Sequence, residues 1–270
     1  MRGVLIKNLR EMWLATLLFA LAMLVIEILL NIILPQILGQ MGDLLERMPF
    51  IRQFLAALLG VEVEGEITAQ LMSAFVWVHP VVLAILWAAS IIFCTRYPAA
   101  EIDRGTIDVL LGLPVSRRGV YLCETAGWLS AGLVILAFGA IGYLIGSRAM
   151  ELEQRPALAL VALVMVNLYG VYLAVGGLTC LVSSLSDRRG RAVAVIFAVV
   201  LASFLLNFLA QFWDPAKHLV FLSVLDYYQP AAILRDGAIA PADLIMLFAI
   251  GLTGWAAGLE ITARRSICTT

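Results

Sequence analysis

Six runs of about 20 apolar residues recur along this chain, and they constrain its fold more than any other feature. They cover roughly 12–36, 72–95, 121–146, 157–183, 192–213 and 243–262. Each is long enough to cross a hydrocarbon core of about 30 Å as a helix. The runs are continuous rather than alternating, which argues against barrel strands. Backbone groups in lipid must be satisfied within their own segment, so helices are the form such runs take. Composition agrees: 63% of the 270 residues are apolar and 14% are charged, against roughly 25% charged in a soluble domain. The expectation is a single all-α integral membrane domain over 1–270, with six transmembrane helices.

The first run begins near Met12 and continues to about Pro35, too long for the apolar core of a cleavable signal. It therefore counts as structure. A formal net charge of −1 provides no electrostatic case for nucleic acid. An even number of spans puts both termini on one side. That side would hold Arg2, Lys7, Arg10, Arg96, Arg104, Arg117, Arg118, Arg188, Arg189, Arg191, Arg264 and Arg265. The other side would hold Arg47, Arg52, Arg148, Arg155, Lys217 and Arg235. The positive-inside rule assigns the richer side to the cytoplasm, which predicts a cytoplasmic (inner or plasma) membrane protein with both ends inside. Asp43, Glu46, Glu62, Glu64 and Glu66 make the first outer loop acidic. Cys94, Cys123, Cys180 and Cys268 then fall at the cytoplasmic ends of spans or in the tail, where thiols stay reduced, and they read as small buried apolar residues.

Three segments belong beside the membrane. In MRGVLIKNLREMW, Leu5, Ile6, Leu9, Met12 and Trp13 share a helical face, away from Lys7, Arg10 and Glu11, so an N-terminal interfacial helix is predicted. The outer loop over about 37–71 has room for a helix at MPFIRQFLAALLG, from Pro49 to a stop at Gly60, followed by the acidic VEVEGE. The last outer loop, LSVLDYYQPAAILRDGAIAPADL, is broken by Pro230, Gly237 and Pro241. It predicts short pieces rather than a span, with Tyr227 and Tyr228 at headgroup level.

The connection between the second and third spans is more ordered than a plain linker needs to be. It runs YPAAEIDRGTIDVLLGLPVSRRGVYLCE from Tyr97 to Glu124. Pro98 suits a helix start, Pro114 a stop. Ile107, Leu110 and Leu111, at i, i+3 and i+4, would form a small apolar patch on a short charged helix. Such a helix, held under the membrane between two spans, is suited to docking.

Read as E-x-x-R-G-T-x-x-x-L-L-x-x-P-V-S-R, Glu101–Arg117 resembles the signature of ABC type-2 permeases, the membrane subunits of a large class of ABC exporters. The likeness extends over nearly the whole chain: six spans with both ends inside, the N-terminal amphipathic segment, and LSVLDYYQP before the last span. The tail TARRSI, Thr262–Ile267, resembles an F-x-R-R-D-[IL] ending, with Thr262 in the place of Phe and Ser266 in the place of Asp. The resemblance implies a type-2 ABC exporter-like fold in which the loop is a cytoplasmic coupling helix. It implies two permeases, a second copy or a paralogue, each docked on a separate cytoplasmic ATP-binding subunit that carries ATP and Mg. The docking role would fall to Glu101, Arg104, Gly105, Thr106, Leu110, Leu111, Pro114, Ser116 and Arg117.

The residues independently place ATP hydrolysis elsewhere. A Walker A loop ends in Gly-Lys-Ser or Gly-Lys-Thr, and the two lysines, Lys7 and Lys217, stand in no such run. This chain is therefore expected to be no enzyme and to hold no cofactor of its own. The loop SSLSDRRGRA offers Asp187, Arg188 and Arg189 either as a smaller second contact or as an orientation signal.

Polar residues also stand within the spans. Glu27 is costly at that depth, about 2.5–3.5 kcal/mol for a central charge on insertion scales. It should face a protein interface or wet cavity, or carry a proton. An interhelical hydrogen bond, with Asn31 one turn on, is the plainer account. Asn167 and Asn207 read as interhelical bonds, His79–Pro80 as a capped kink, and Glu260–Arg264 as an i, i+4 ion pair. Glycines 127, 132, 139, 142 and 146 in the third span, with 170, 176 and 177 in the fourth, predict close helix packing, and Gly176–Gly177 a bend. Two other functions fit the residues less well. A membrane enzyme acting on lipid or isoprenoid phosphate needs clustered acid and histidine, and Glu101, Asp103 and Asp108 come without a histidine. An ion-coupled carrier often shows repeated halves, and residues 1–135 and 136–270 show no convincing repeat.

Overall fold

The computed structural model describes residues 2–40, 69–112, 114–150 and 155–266. The predicted helix at 48–60, the acidic connection after it, Cys268 and the last residue of the tail motif lie outside them. The α-helices of five residues or more among the described residues are α1 (Arg2–Gln40), α2 (Ala69–Val78), α3 (Pro80–Cys94), α4 (Ile107–Leu111), α5 (Arg117–Gly146), α6 (Leu158–Leu185), α7 (Arg189–Leu209), α8 (Pro230–Asp236) and α9 (Pro241–Arg264). Among the described residues, six stretches of helix are long and apolar enough to cross a membrane: Arg2–Leu34, Ser73–Cys94, Arg117–Ala149, Leu158–Leu185, Arg189–Leu209 and Pro241–Arg264. The described residues form helices and no strand, and the protein is a membrane protein.

The N-terminal segment is not a separate interfacial helix. It is the first part of α1, whose 39 residues are one continuous helix, about 58 Å long at 1.5 Å per residue. Between Asn8 and Leu34 no glycine or proline interrupts it, so nothing forces a turn at the expected junction. Most of the predicted apolar face stays on the outside of the bundle. Val4, Asn8 and Met12, at i, i+4 and i+8, are buried, while Ile6, Leu9 and Trp13 are exposed.

His79 breaks the second span as expected. Its backbone leaves the helical region (φ −57°, ψ 129°) and its Nδ1 accepts from the Val81 N–H, with Pro80 opening α3. The ring thus caps a helix start whose N–H groups have no intrahelical partner. The segment between α7 and α9 does form short pieces, Val220–Leu222, Val224–Tyr227 and α8, closed by left-handed Gly237 (φ 75°). Tyr228, predicted at headgroup level, is turned into the bundle. It is buried, and its hydroxyl donates to the Trp77 carbonyl at 3.1 Å. Asn167 on α6 ties this segment to the bundle, donating to Tyr227 O at 3.0 Å and accepting from Gln229 N at 3.2 Å.

Glycines set the helix spacing. α1 lies on α5 through Gly139, Gly142 and Gly146, and α9 lies on α6 through Gly177, Gly251, Gly254 and Gly258. A Cβ on Gly177 would stand 2.0 Å from the Gly251 carbonyl oxygen, so the two backbones are in direct contact. α6 continues as one helix through Gly176–Gly177. Those glycines admit a neighbour and do not end the helix. Cys94, Cys123 and Cys180 are buried thiols in the helix packing.

Candidate docking loop at the arginine-rich end

Residues 95–116 join α3 to α5 at the end of the bundle that also holds the start of α1 and the end of α9. Thr95 closes α3 by donating its hydroxyl to Ile91 O at 2.7 Å. Tyr97 is extended (φ −132°, ψ 133°), which redirects the chain before Pro98. The redirected strand is pinned to α6 by one buried hydroxyl: Ser183 Oγ donates to Tyr97 O at 3.2 Å and accepts from Ala99 N at 3.3 Å. The Tyr97 phenol is buried here, and burial pushes it up to about 12, so it stays neutral.

Glu101 organises the turn after Ala100. It is 7% exposed. One carboxylate oxygen accepts from Arg104 Nη2 at 3.1 Å, and the other accepts from the Thr106 hydroxyl in a short hydrogen bond. Arg104 Nε also donates to Ala100 O at 3.1 Å. Gly105 (φ 68°) supplies the left-handed residue that turns the chain, its N–H bonded to Ile102 O at 3.0 Å. Four residues of the sequence motif, Glu101, Arg104, Gly105 and Thr106, thus close a single turn on itself. The motif reads as a geometry first: a carboxylate, a fork donor, a glycine and a hydroxyl at the spacing one tight turn requires.

The apolar patch does not point outward. Ile107 is wholly buried and Leu110 nearly so, packed into the bundle core. A five-residue helix with two large apolar side chains buries them where an apolar surface is available, and the ends of the spans provide one. The Leu111 side chain lies outside the described residues. The surface left in solvent is formed by Asp103, Arg104, Gly105, Thr106, Asp108, Val109 and Pro114, with Val109 75% exposed. Ser116 caps α5 by accepting from Gly119 N at 3.0 Å. Arg117 donates to the Arg265 carbonyl at the end of α9.

The second loop is mostly turned inward as well. Arg189 donates to Thr95 Oγ1 at 3.3 Å and Ile92 O at 3.2 Å, and its N–H meets Asp103 Oδ2 at 3.3 Å. Asp187 accepts from Arg265, which also donates to Ser184 O at 2.9 Å. Arg188 stays exposed. Glu260 pairs with Arg264 as expected, and with Arg118 at 2.8 Å.

Sequence reasoning missed the ion cluster beneath the loop. Arg96 is only 17% exposed and stands between Glu11 of α1 and Glu124 of α5, at 2.5 and 3.6 Å. Glu124 in an otherwise apolar run was the available signal, because a carboxylate there needs a cation. Arg96→Ala should leave Glu124, itself 15% exposed, without its charge partner. Breaking a buried pair costs about 3–5 kcal/mol, and the residual exposure here lowers the expected loss to about 2 kcal/mol. Thermal unfolding in detergent would show it, and the double change Arg96→Ala/Glu124→Ala should recover most of it.

Glu27 and Asn31, the predicted cavity pair, are both wholly buried. Asn31 Nδ2 donates to Glu27 O at 2.7 Å and reaches Glu27 Oε2 at 3.5 Å. The bond is therefore within α1 and not between helices.

No protein-family model matches the sequence, and no curated protein matches it.

Proposed function

We propose that this chain is the membrane permease subunit of an ATP-driven ABC transporter, working as an exporter. In this reading the arginine-rich end is cytoplasmic. Two permeases line the pathway, and each takes a separate ATP-binding subunit, which carries ATP and Mg, on the 98–118 loop. The observation that carries the proposal is the closed turn at Glu101–Thr106 and its attachments. The turn is exposed on one side and anchored on the other. Ser183 ties it to α6, Asp103 ties it to α7, and Ile107 and Leu110 lie in the core. A push on such a piece moves several spans together, as packed interiors shift between discrete arrangements rather than yield locally. A mere connector has no need of a buried carboxylate holding its shape.

The test is co-purification. Tagged wild-type chain from native membranes should bring down an ATP-binding protein with ATPase activity. Val109→Asp changes an exposed side chain in no described contact, so the fold should survive while the ATPase is lost. Co-purification and hydrolysis unchanged by Val109→Asp and by Arg104→Ala together would refute docking on this loop.

A further inference from the structure

Glu27 lies far from the docking loop, and nothing in the proposed coupling uses it. Its side chain is wholly buried, and its Oε1 has no hydrogen-bond partner. The Asn31 Oδ1 one turn on is equally unpartnered. Among the described residues no Lys, Arg or His nitrogen comes within ion-pair distance of Glu27. The titratable groups around it are phenols: Tyr143 of α5, with its hydroxyl 3.5 Å from Ser73 Oγ, and Tyr228, bonded to Trp77 O. Both are within electrostatic reach of Glu27. Arg155 acts on Tyr143, but its guanidinium is bonded to the Met150 and Arg148 carbonyls. α2 contributes Ser73 and Trp77, which do not titrate.

The glycine face of α5 closes this site. A Cβ on Gly142 would stand 2.5 Å from Leu24 O and 2.9 Å from Glu27 Cβ, and one on Gly146 would stand 2.8 Å from Asn31 Cβ. An ionised carboxylate here would be wholly buried with no counterion among the described residues, an arrangement that proteins avoid. A proton removes the charge and turns one carboxyl oxygen from an unsatisfied acceptor into a donor.

We propose that Glu27, sealed between α1 and the glycine face of α5, is an intramembrane proton-binding site. It is occupied while the two helices are seated and emptied when they part. Proton release is thereby linked to separation of α1 from α5. The inference shares no residue with the docking proposal and stands if that proposal fails.

Infrared spectroscopy of the full chain in lipid nanodiscs at pH 7 tests it. Wild type should show the carbonyl stretch of a carboxylic acid in apolar surroundings, and E27Q should lose that band. In deuterium oxide the band should shift slowly in wild type and faster in G142A, where the added methyl pushes α1 away. M23A, which hollows the same contact at Gly139, serves where G142A does not fold. Identical spectra for wild type and E27Q would overturn the proton site, as would a carboxylate band of Glu27 that responds to sodium. Immediate exchange in wild type would overturn the gate.

Discussion

Gly177→Leu should abolish the folded bundle. The Cβ alone would fall 2.0 Å from the carbonyl oxygen of Gly251 and 2.6 Å from its carbon. Both contacts are backbone, so no rotamer change relieves them. Overpacking in a core that can adjust costs about 1–3 kcal/mol. Here α9 would have to leave α6 along its length, because Gly254 and Gly258 also lie against the α6 backbone. The loss should exceed that range and approach the whole stability of a typical domain, about 5–15 kcal/mol. Size-exclusion of detergent extracts should show little monodisperse protein for Gly177→Leu and an intermediate yield for Gly177→Ala. Gly190→Ala is the control, with nothing within 4 Å of its added methyl. A well-folded Gly177→Leu would mean that α6 and α9 do not pack through this contact.

Glu101→Ala should have the largest effect on function with a small effect on the fold. The substitution removes both carboxylate acceptors of the turn, leaving Arg104 Nη2 unpaired and the Thr106 hydroxyl with only its 3.4 Å bond to the Glu101 carbonyl. Both residues are exposed and can turn to water, so global stability should fall by only about 1–2 kcal/mol. The exposed surface of the loop, however, depends on that turn. A loss of about 1.5 kcal/mol in preorganisation alone would weaken the proposed docking about tenfold. Titration of the proposed ATP-binding partner onto the reconstituted chain would measure it. Glu101→Gln should retain much of the affinity, since its amide oxygen can still accept one of the two bonds. Equal affinity for wild type and Glu101→Ala would show that the shape of the turn is irrelevant to the partner.

Several features were legible from neighbours in sequence. Glu260 and Arg264 sit one turn apart on one helix, so helical spacing alone predicts their pairing. His79–Pro80 breaks a helix by local stereochemistry, whatever surrounds it. Proline and glycine cut the segment after α7 into short pieces for the same reason. The reading failed where a side chain had to choose between lipid, solvent and another helix. Ile107 and Leu110 form the expected patch but turn it inward. Tyr228 has the chemistry of a headgroup residue, yet it finds the Trp77 carbonyl in the bundle, 151 positions away in sequence. The start of α1 has an amphipathic pattern, but membrane proteins place apolar side chains on both their inner and outer surfaces. Hydrophobicity therefore does not identify the buried face.

The sequence by itself determined that six runs form helices of spanning length and that the second breaks at His79. Crossing hydrocarbon as a helix is a requirement on each run alone, met through its own backbone hydrogen bonds. The tight turn at Glu101–Thr106 instead falls inside the one short helix that the sequence predicts, divided there by left-handed Gly105. Only the tertiary structure decided that Ser183 pins the loop, that Arg96 joins Glu11 to Glu124, and that Gly251 lies on Gly177. These contacts depend on which helices are neighbours and how they are rotated. Inside a membrane that choice rests on close backbone packing and polar pairing between distant segments, and neither leaves a periodic mark in the chain.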